Sequence, residues 1–175
     1  MEKMIPVSKF IEESKGIKLS FVDEDTESMV VATIPFMWTG HILVFNREKI
    51  AKALDREEAQ RPGVYLLCGE SEKRNLLYIG EGYDIRKCLI EQDKTKDWWS
   101  KAILITSSGE PLNKTHLRYL VEQLVLHAKK IDRVIMNNVN DNPSTYVMSE
   151  AATAQMTDFL EKIIYVLSSL GFNCS

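Results

Sequence analysis

The chain has 175 residues, enough for one domain of ordinary size, and its 45% hydrophobic and 27% charged residues suit a globular protein with a single core. No apolar run approaches the roughly 20 residues that cross a bilayer, so no membrane association is expected. The formal net charge of −3 rules out a protein that is basic all over, so any nucleic-acid surface has to be a local patch.

Met1–Pro6 lacks the apolar core of a secretory signal, and the expected location is cytoplasmic. Cys68, Cys88 and Cys174 form no C-x-x-C pair, which argues for small buried residues rather than a zinc site or a disulfide framework. His41, His116 and His127 show no metal-pairing spacing.

Pro6 followed by Val7, Phe10 and Ile11 predicts a short amphipathic helix over 5–14, ended by Gly16. A strand is expected at 18–22, an acidic turn at 23–28 and a β-branched strand at 29–34 closed by Pro35. Trp38-Thr39-Gly40 reads as a turn, 41–45 as a third strand, and Asn46 as the cap of a helix over 47–54. Gly63-Val64-Tyr65-Leu66-Leu67 and Leu77-Tyr78-Ile79-Gly80 flank a charged interval at 69–75, the pattern of an antiparallel hairpin.

Asp84 is placed to cap a helix from Ile85 to about Gln92, with Ile85, Cys88, Leu89 and Gln92 on one face. Trp98-Trp99 reads as a core anchor in preference to a base-stacking pair. A strand at 102–106 and a helix at 115–130 follow, the helix striped by Leu117, Leu120, Val121, Leu124 and Ala128. The stretch 137–143 reads as an Asn-rich loop, and Ser149 caps a long helix from Glu150 to Leu170 with Gly171 at its end.

The expected fold class is α+β: a central antiparallel or mixed sheet flanked by helices, with a long C-terminal helix. Residues 1–60 form an N-terminal β-rich extension packed on a core domain at 61–175, the two making one compact unit.

Gly63-Val64-Tyr65 and Tyr78-Ile79-Gly80, followed by a helix and then a strand-helix pair, resemble the two name-giving triplets of the GIY-YIG nuclease family. Further segments resemble a bacterial subgroup of that family: Trp38 to Gly40, Arg61 to Tyr65, Ile79 to Glu81, Asp97 to Trp99, Leu112 to His116 and Ser149 to Ala151. The likeness spans roughly residues 30 to 170.

The resemblance implies two tyrosines, Tyr65 and Tyr78, at a site where a water attacks a phosphodiester. It also implies an arginine and a histidine on the first helix and a metal-holding glutamate on the second. Those three positions fall on Cys88, Gln92 and Val121. The vestigial pocket is expected to include Gly63, Gly80, Cys88, Gln92, His116, Val121 and Asn142. The nearest substitutes are Arg86 and Glu122, each turned away by about 200° or 100° of helix from the vacant place.

The leading expectation is therefore a catalytically degenerate nuclease-like protein that binds nucleic acid or acts as an interaction module. One rival is an active endonuclease using Tyr65, Tyr78, Arg86 and Glu122, with Mg²⁺ or Mn²⁺ held by Glu122. The other is a protein-binding module with no nucleic-acid role, which the acidic net charge favours. Lys94, Lys96, Lys114 and Arg118 are the candidate contacts to DNA or RNA, against the plainer reading of lysines on solvated helix faces.

Overall fold

In chain order the computed structural model has β1 (Lys18–Phe21), β2 (Met29–Thr33), β3 (Gly40–Asn46), α1 (Ile50–Leu54), β4 (Gly63–Ser71), β5 (Arg74–Gly82) and α2 (Ile85–Thr95). β6 (Trp99–Ser107), α3 (Lys114–Ala128), β7 (Val134–Ile135) and α4 (Glu150–Ser169) complete it. It describes residues 16–22, 28–131, 134–136 and 146–172. The expected helix over 5–14, most of the turn at 23–28, the loop over 137–143 with Asn142, and Cys174 lie outside the described residues.

The strands make one mixed seven-stranded sheet in the order β1-β2-β3-β6-β4-β5-β7, antiparallel except where β7 runs parallel to β5. β6 sits at its middle, which explains an apolar run buried on both faces from Ala102 to Ile105. β3 pairs with β6 from Gly40–Ser107 to Asn46–Lys101, so the N-terminal strands extend the sheet that carries the hairpin.

Strand alternation splits the core in two. Val64, Leu66, Ile79, Ile103 and Ile105 face α3 and α4, whereas Tyr65, Leu67, Leu43, Phe45 and Leu104 face α1 and α2. The C-terminal helix docks through Met156, Phe159, Leu160, Ile163, Val166 and Leu167, all buried, each contributing roughly 2 kcal/mol of burial. No helix among the described residues is long and apolar enough to cross a membrane.

Four local expectations are corrected. The charged interval 69–75 is not a loop: the strands run on to Ser71 and Arg74, and the turn is only Glu72-Lys73. Both residues have positive φ, 51° and 66°, as in a type I′ turn. The expected helix over 47–54 is a 3-10 turn at Arg47–Lys49 followed by one short α-helical stretch. Asp84 occupies the N-cap position of α2, but its side chain makes no capping bond, and its Oδ1 is buried without a partner. Finally, β6 begins at Trp99, not at 102: a bulge at Ser100 turns the Trp99 ring onto the same face as Ala102.

Glu72 and Lys73 are poor occupants of left-handed backbone. Replacing them by Asn-Gly is expected to raise stability by about 1 kcal/mol, read as a higher midpoint in urea. An unchanged or lower midpoint would show that the tip is already relaxed.

Candidate functional site

The hairpin register pairs Tyr65 with Gly80 and Leu67 with Tyr78, which sends both tyrosines to the α2 side of the sheet. Their rings lie 6.2 Å apart at 33°. Gly80 makes the arrangement feasible: a Cβ there would stand 2.5 Å from Cζ and Oη of Tyr65. Gly82 leaves room for the Cys88 sulfur in the same way, and a Cβ at Gly63 would meet the Ile105 carbonyl.

Facing the tyrosines, α2 presents Cys88 and Gln92 one turn apart, and Lys96, the extended residue that caps its C-terminus, comes next. Gln92 Nε2 donates to Tyr65 Oη at 3.1 Å, and Lys96 Nζ donates to Gln92 Oε1 at 2.6 Å. The same ammonium lies 4.4 Å from the centroid of the Tyr78 ring. The result is a chain of polar contacts, Tyr65–Gln92–Lys96, ending over Tyr78.

Arg47 holds the end of this helix in place. It donates to the backbone carbonyls of Asp93, Lys96 and Trp99 and to Asp93 Oδ1, with its guanidinium carbon 4.3 Å over the Trp99 ring. Trp99 is 2% exposed, in keeping with the core-anchor reading.

Electrostatics removes easy proton chemistry from this face. Burial, then the neighbouring Tyr78 phenol and Cys88 thiol, push the Tyr65 phenol far above its ordinary range. Burial and the Asp84 carboxylate also raise Cys88, so its thiolate is disfavoured. A base that activates water works best with a pKa near the working pH, and Tyr65 is moved the other way.

The remaining expected residues lie elsewhere. Val121 packs into the core on the α3 side of the sheet. Also on α3, Arg118 Nη1 donates to Glu81 Oε1 at 2.9 Å, and Glu122 Oε1 accepts from the Tyr146 hydroxyl at 3.0 Å. Burial raises the Glu81 carboxyl and Glu122 adds to this, against the Arg118 and Lys114 charges. Tyr146 is pushed up to about 12 by burial and by Glu122. His116 serves α3 as a cap: Nδ1 accepts from the Asn113 amide while Asn113 Oδ1 accepts from the His116 amide. Burial lowers the His116 pKa, favouring the neutral ring.

The four candidate cations thus divide. Lys96 belongs to the tyrosine face and Lys94 to the exposed side of α2, whereas Lys114 and Arg118 lie on the far side of the sheet beside Glu81. Arg86 is exposed on α2, with Lys87 beside it. A Mg²⁺ or Mn²⁺ ion at Glu122 does not suit this arrangement: the carboxylate belongs to the layer opposite Tyr78, and among the described residues no three His, Cys, Asp or Glu side chains converge. Tyr83, 59% exposed just ahead of α2, was not singled out from sequence; its setting between Gly82 and Asp84, turn-type residues, was the available sign.

Fold and site together define an α+β protein whose sheet carries a paired-tyrosine face covered along one side by α2. No protein-family model, curated protein or solved structure matches the chain in comparison.

Proposed function

We propose that the chain is a nuclease-like module without cleavage activity that holds a nucleic-acid backbone along α2. The supporting observation is the Tyr65–Gln92–Lys96 chain over Tyr78, which keeps a half-buried ammonium beside the tyrosines. Arg86, Lys87 and Lys94, with Glu91 among them, stand on the exposed side of the helix, and Tyr83 offers a stacking ring at its start. A phosphodiester meets cations on this face, while cutting it would also need an activated water, which the raised Tyr65 phenol and Cys88 thiol do not supply.

The test pairs two assays. Supercoiled plasmid incubated with Mg²⁺ or Mn²⁺ is expected to stay intact; nicking that disappears in Tyr78→Phe would overturn the loss of cleavage. DNA binding is expected at low salt, with Lys96→Gln reducing the slope of log affinity against log salt by about one. Absence of binding at low salt would remove the nucleic-acid role.

A further inference from the structure

The hairpin that carries both tyrosines runs past the rest of the sheet. β6 pairs with β4 only as far as Gly69, and β7 meets β5 only at Leu76 and Leu77. Glu70 and Ser71 therefore pair solely with Asn75 and Arg74, across the Glu72-Lys73 turn. All six residues are exposed, and among the described residues none of their side chains takes part in a hydrogen bond or ion pair. So short a two-stranded ribbon is not held by core burial. Its turn nonetheless keeps two residues other than glycine at positive φ, and such backbone with no packing to impose it points to a contact of the side chains it displays.

Register sorts those side chains. Arg74 and Ser71 are partners, and Arg74 lies four residues before Tyr78, so strand alternation puts both on the tyrosine side of the sheet. Glu70 and Asn75 fall on the opposite side. Glu72 and Lys73 offset each other at the turn, which leaves Arg74 as the charged side chain on the tyrosine side of the tip. One cation makes a poor phosphate clamp. Arginine and serine are instead side chains that read base edges, arginine bonding both guanine acceptors in the major groove. Four residues of strand place Arg74 roughly 14 Å from Tyr78 and the Lys96 ammonium above it. That span is comparable to the ~12 Å width of the B-DNA major groove, which admits a two-stranded ribbon.

We propose that the tip of the β4–β5 hairpin enters the major groove of duplex DNA and reads base pairs through Arg74 and Ser71, while Lys96 and α2 hold phosphates at the groove edge. This role rests on the backbone binding proposed for α2 and adds to it a sequence preference and a choice of DNA over duplex RNA, whose major groove is too deep and narrow for side chains to read.

A duplex DNA library randomised over one helical turn, selected on the protein at low salt and sequenced, reads the preference. Wild type is expected to enrich a common sequence. Ser71→Ala/Arg74→Ala is expected to reduce discrimination between that duplex and a mismatched one about tenfold, with the slope of log affinity against log salt unchanged. Lys96→Gln is expected to do the reverse, lowering the slope and keeping the preference. Ser71 and Arg74 are exposed, so their variant is expected to keep the fold, checked by its urea midpoint. Binding with no enriched sequence overturns the groove contact and leaves backbone binding standing. The groove contact is likewise overturned if Ser71→Ala/Arg74→Ala keeps the full preference, if it lowers the salt slope as Lys96→Gln does, or if an RNA duplex of the same sequence binds equally well. No binding at low salt removes backbone binding and the groove contact together.

Discussion

Gly80→Ala is expected to lower stability by about 3 kcal/mol and to break the Tyr65–Gln92 hydrogen bond. The added methyl would sit 2.5 Å from Cζ and Oη of Tyr65, a ring that is only 3% exposed and closed in by the core between sheet and α2. Forcing atoms into a filled core costs about 1–3 kcal/mol, and losing the bond to Gln92 adds about 1 kcal/mol. A double-mutant cycle isolates the cause. In a Tyr65→Leu background the ring is gone, and Gly80→Ala is expected to cost much less. If the two changes add independently in urea denaturation, crowding by the Tyr65 ring is not what makes glycine necessary here.

That requirement changes what the two triplets mean physically. Tyr65 and Gly80 are register partners, so a tyrosine in one strand and a glycine in the other form a single packing unit. The same logic joins Gly82 to Cys88. Gly80, one of the glycines of the nuclease-like triplets, thus has structural work independent of any reaction.

The strands were legible because β-branched and apolar runs bounded by turn residues leave few alternatives, and the α3 and α4 stripes because their spacing is regular. The extent of the hairpin was not. Its outer residues, Glu70 to Asn75, project beyond β6 and are exposed on both sides, so nothing apolar marks them as strand. The turn gave no sign either, since Glu72-Lys73 lacks the Asn or Gly that normally announces positive φ. Lys96 reads from sequence as a surface cation, but its place over Tyr78 depends on α2 running to Thr95 rather than stopping near Gln92. The division of the candidate site between two layers depends on sheet order and strand alternation together, and α3 joins the face opposite the tyrosines only once both are known. Long-range polar pairs are the hardest case, because no local pattern links their partners.

Glu58 is such a case, and its removal is expected to have the largest effect of any single charge. It is 4% exposed in the 3-10 turn Glu57–Gln60, where Oε2 meets His41 Nε2 at 2.6 Å. Arg56 adds bonds at 3.2 Å from Nε and from Nη2. Burial by itself would raise this carboxyl; the bonds from His41, from its own backbone amide and from Arg56 outweigh burial and bring it from 4.5 to about 2. A folded value below the unfolded one means that the stabilisation is fully present above pH 4.5 and is lost as pH falls toward 2. The size of the shift corresponds to about 3 kcal/mol at neutral pH.

Glu58→Gln keeps the shape and removes the charge, so it is expected to cost about 2–3 kcal/mol at pH 7 and progressively less in acid. Urea midpoints for wild type and variant should therefore converge between pH 4.5 and 2. Parallel curves would show that the carboxylate is not what holds the turn. The consequence reaches the tyrosine face, because this turn ends at Gln60 and Arg61-Pro62 lead directly into β4. Ala59, fully buried in the core that includes Tyr65, ties the turn to that layer. Acid that releases Glu58 is accordingly expected to loosen the start of β4 before it disturbs α4, whose core lies on the other side of the sheet. Amide exchange at Val64 and Tyr65, compared with Ile163 and Val166, reads that order directly.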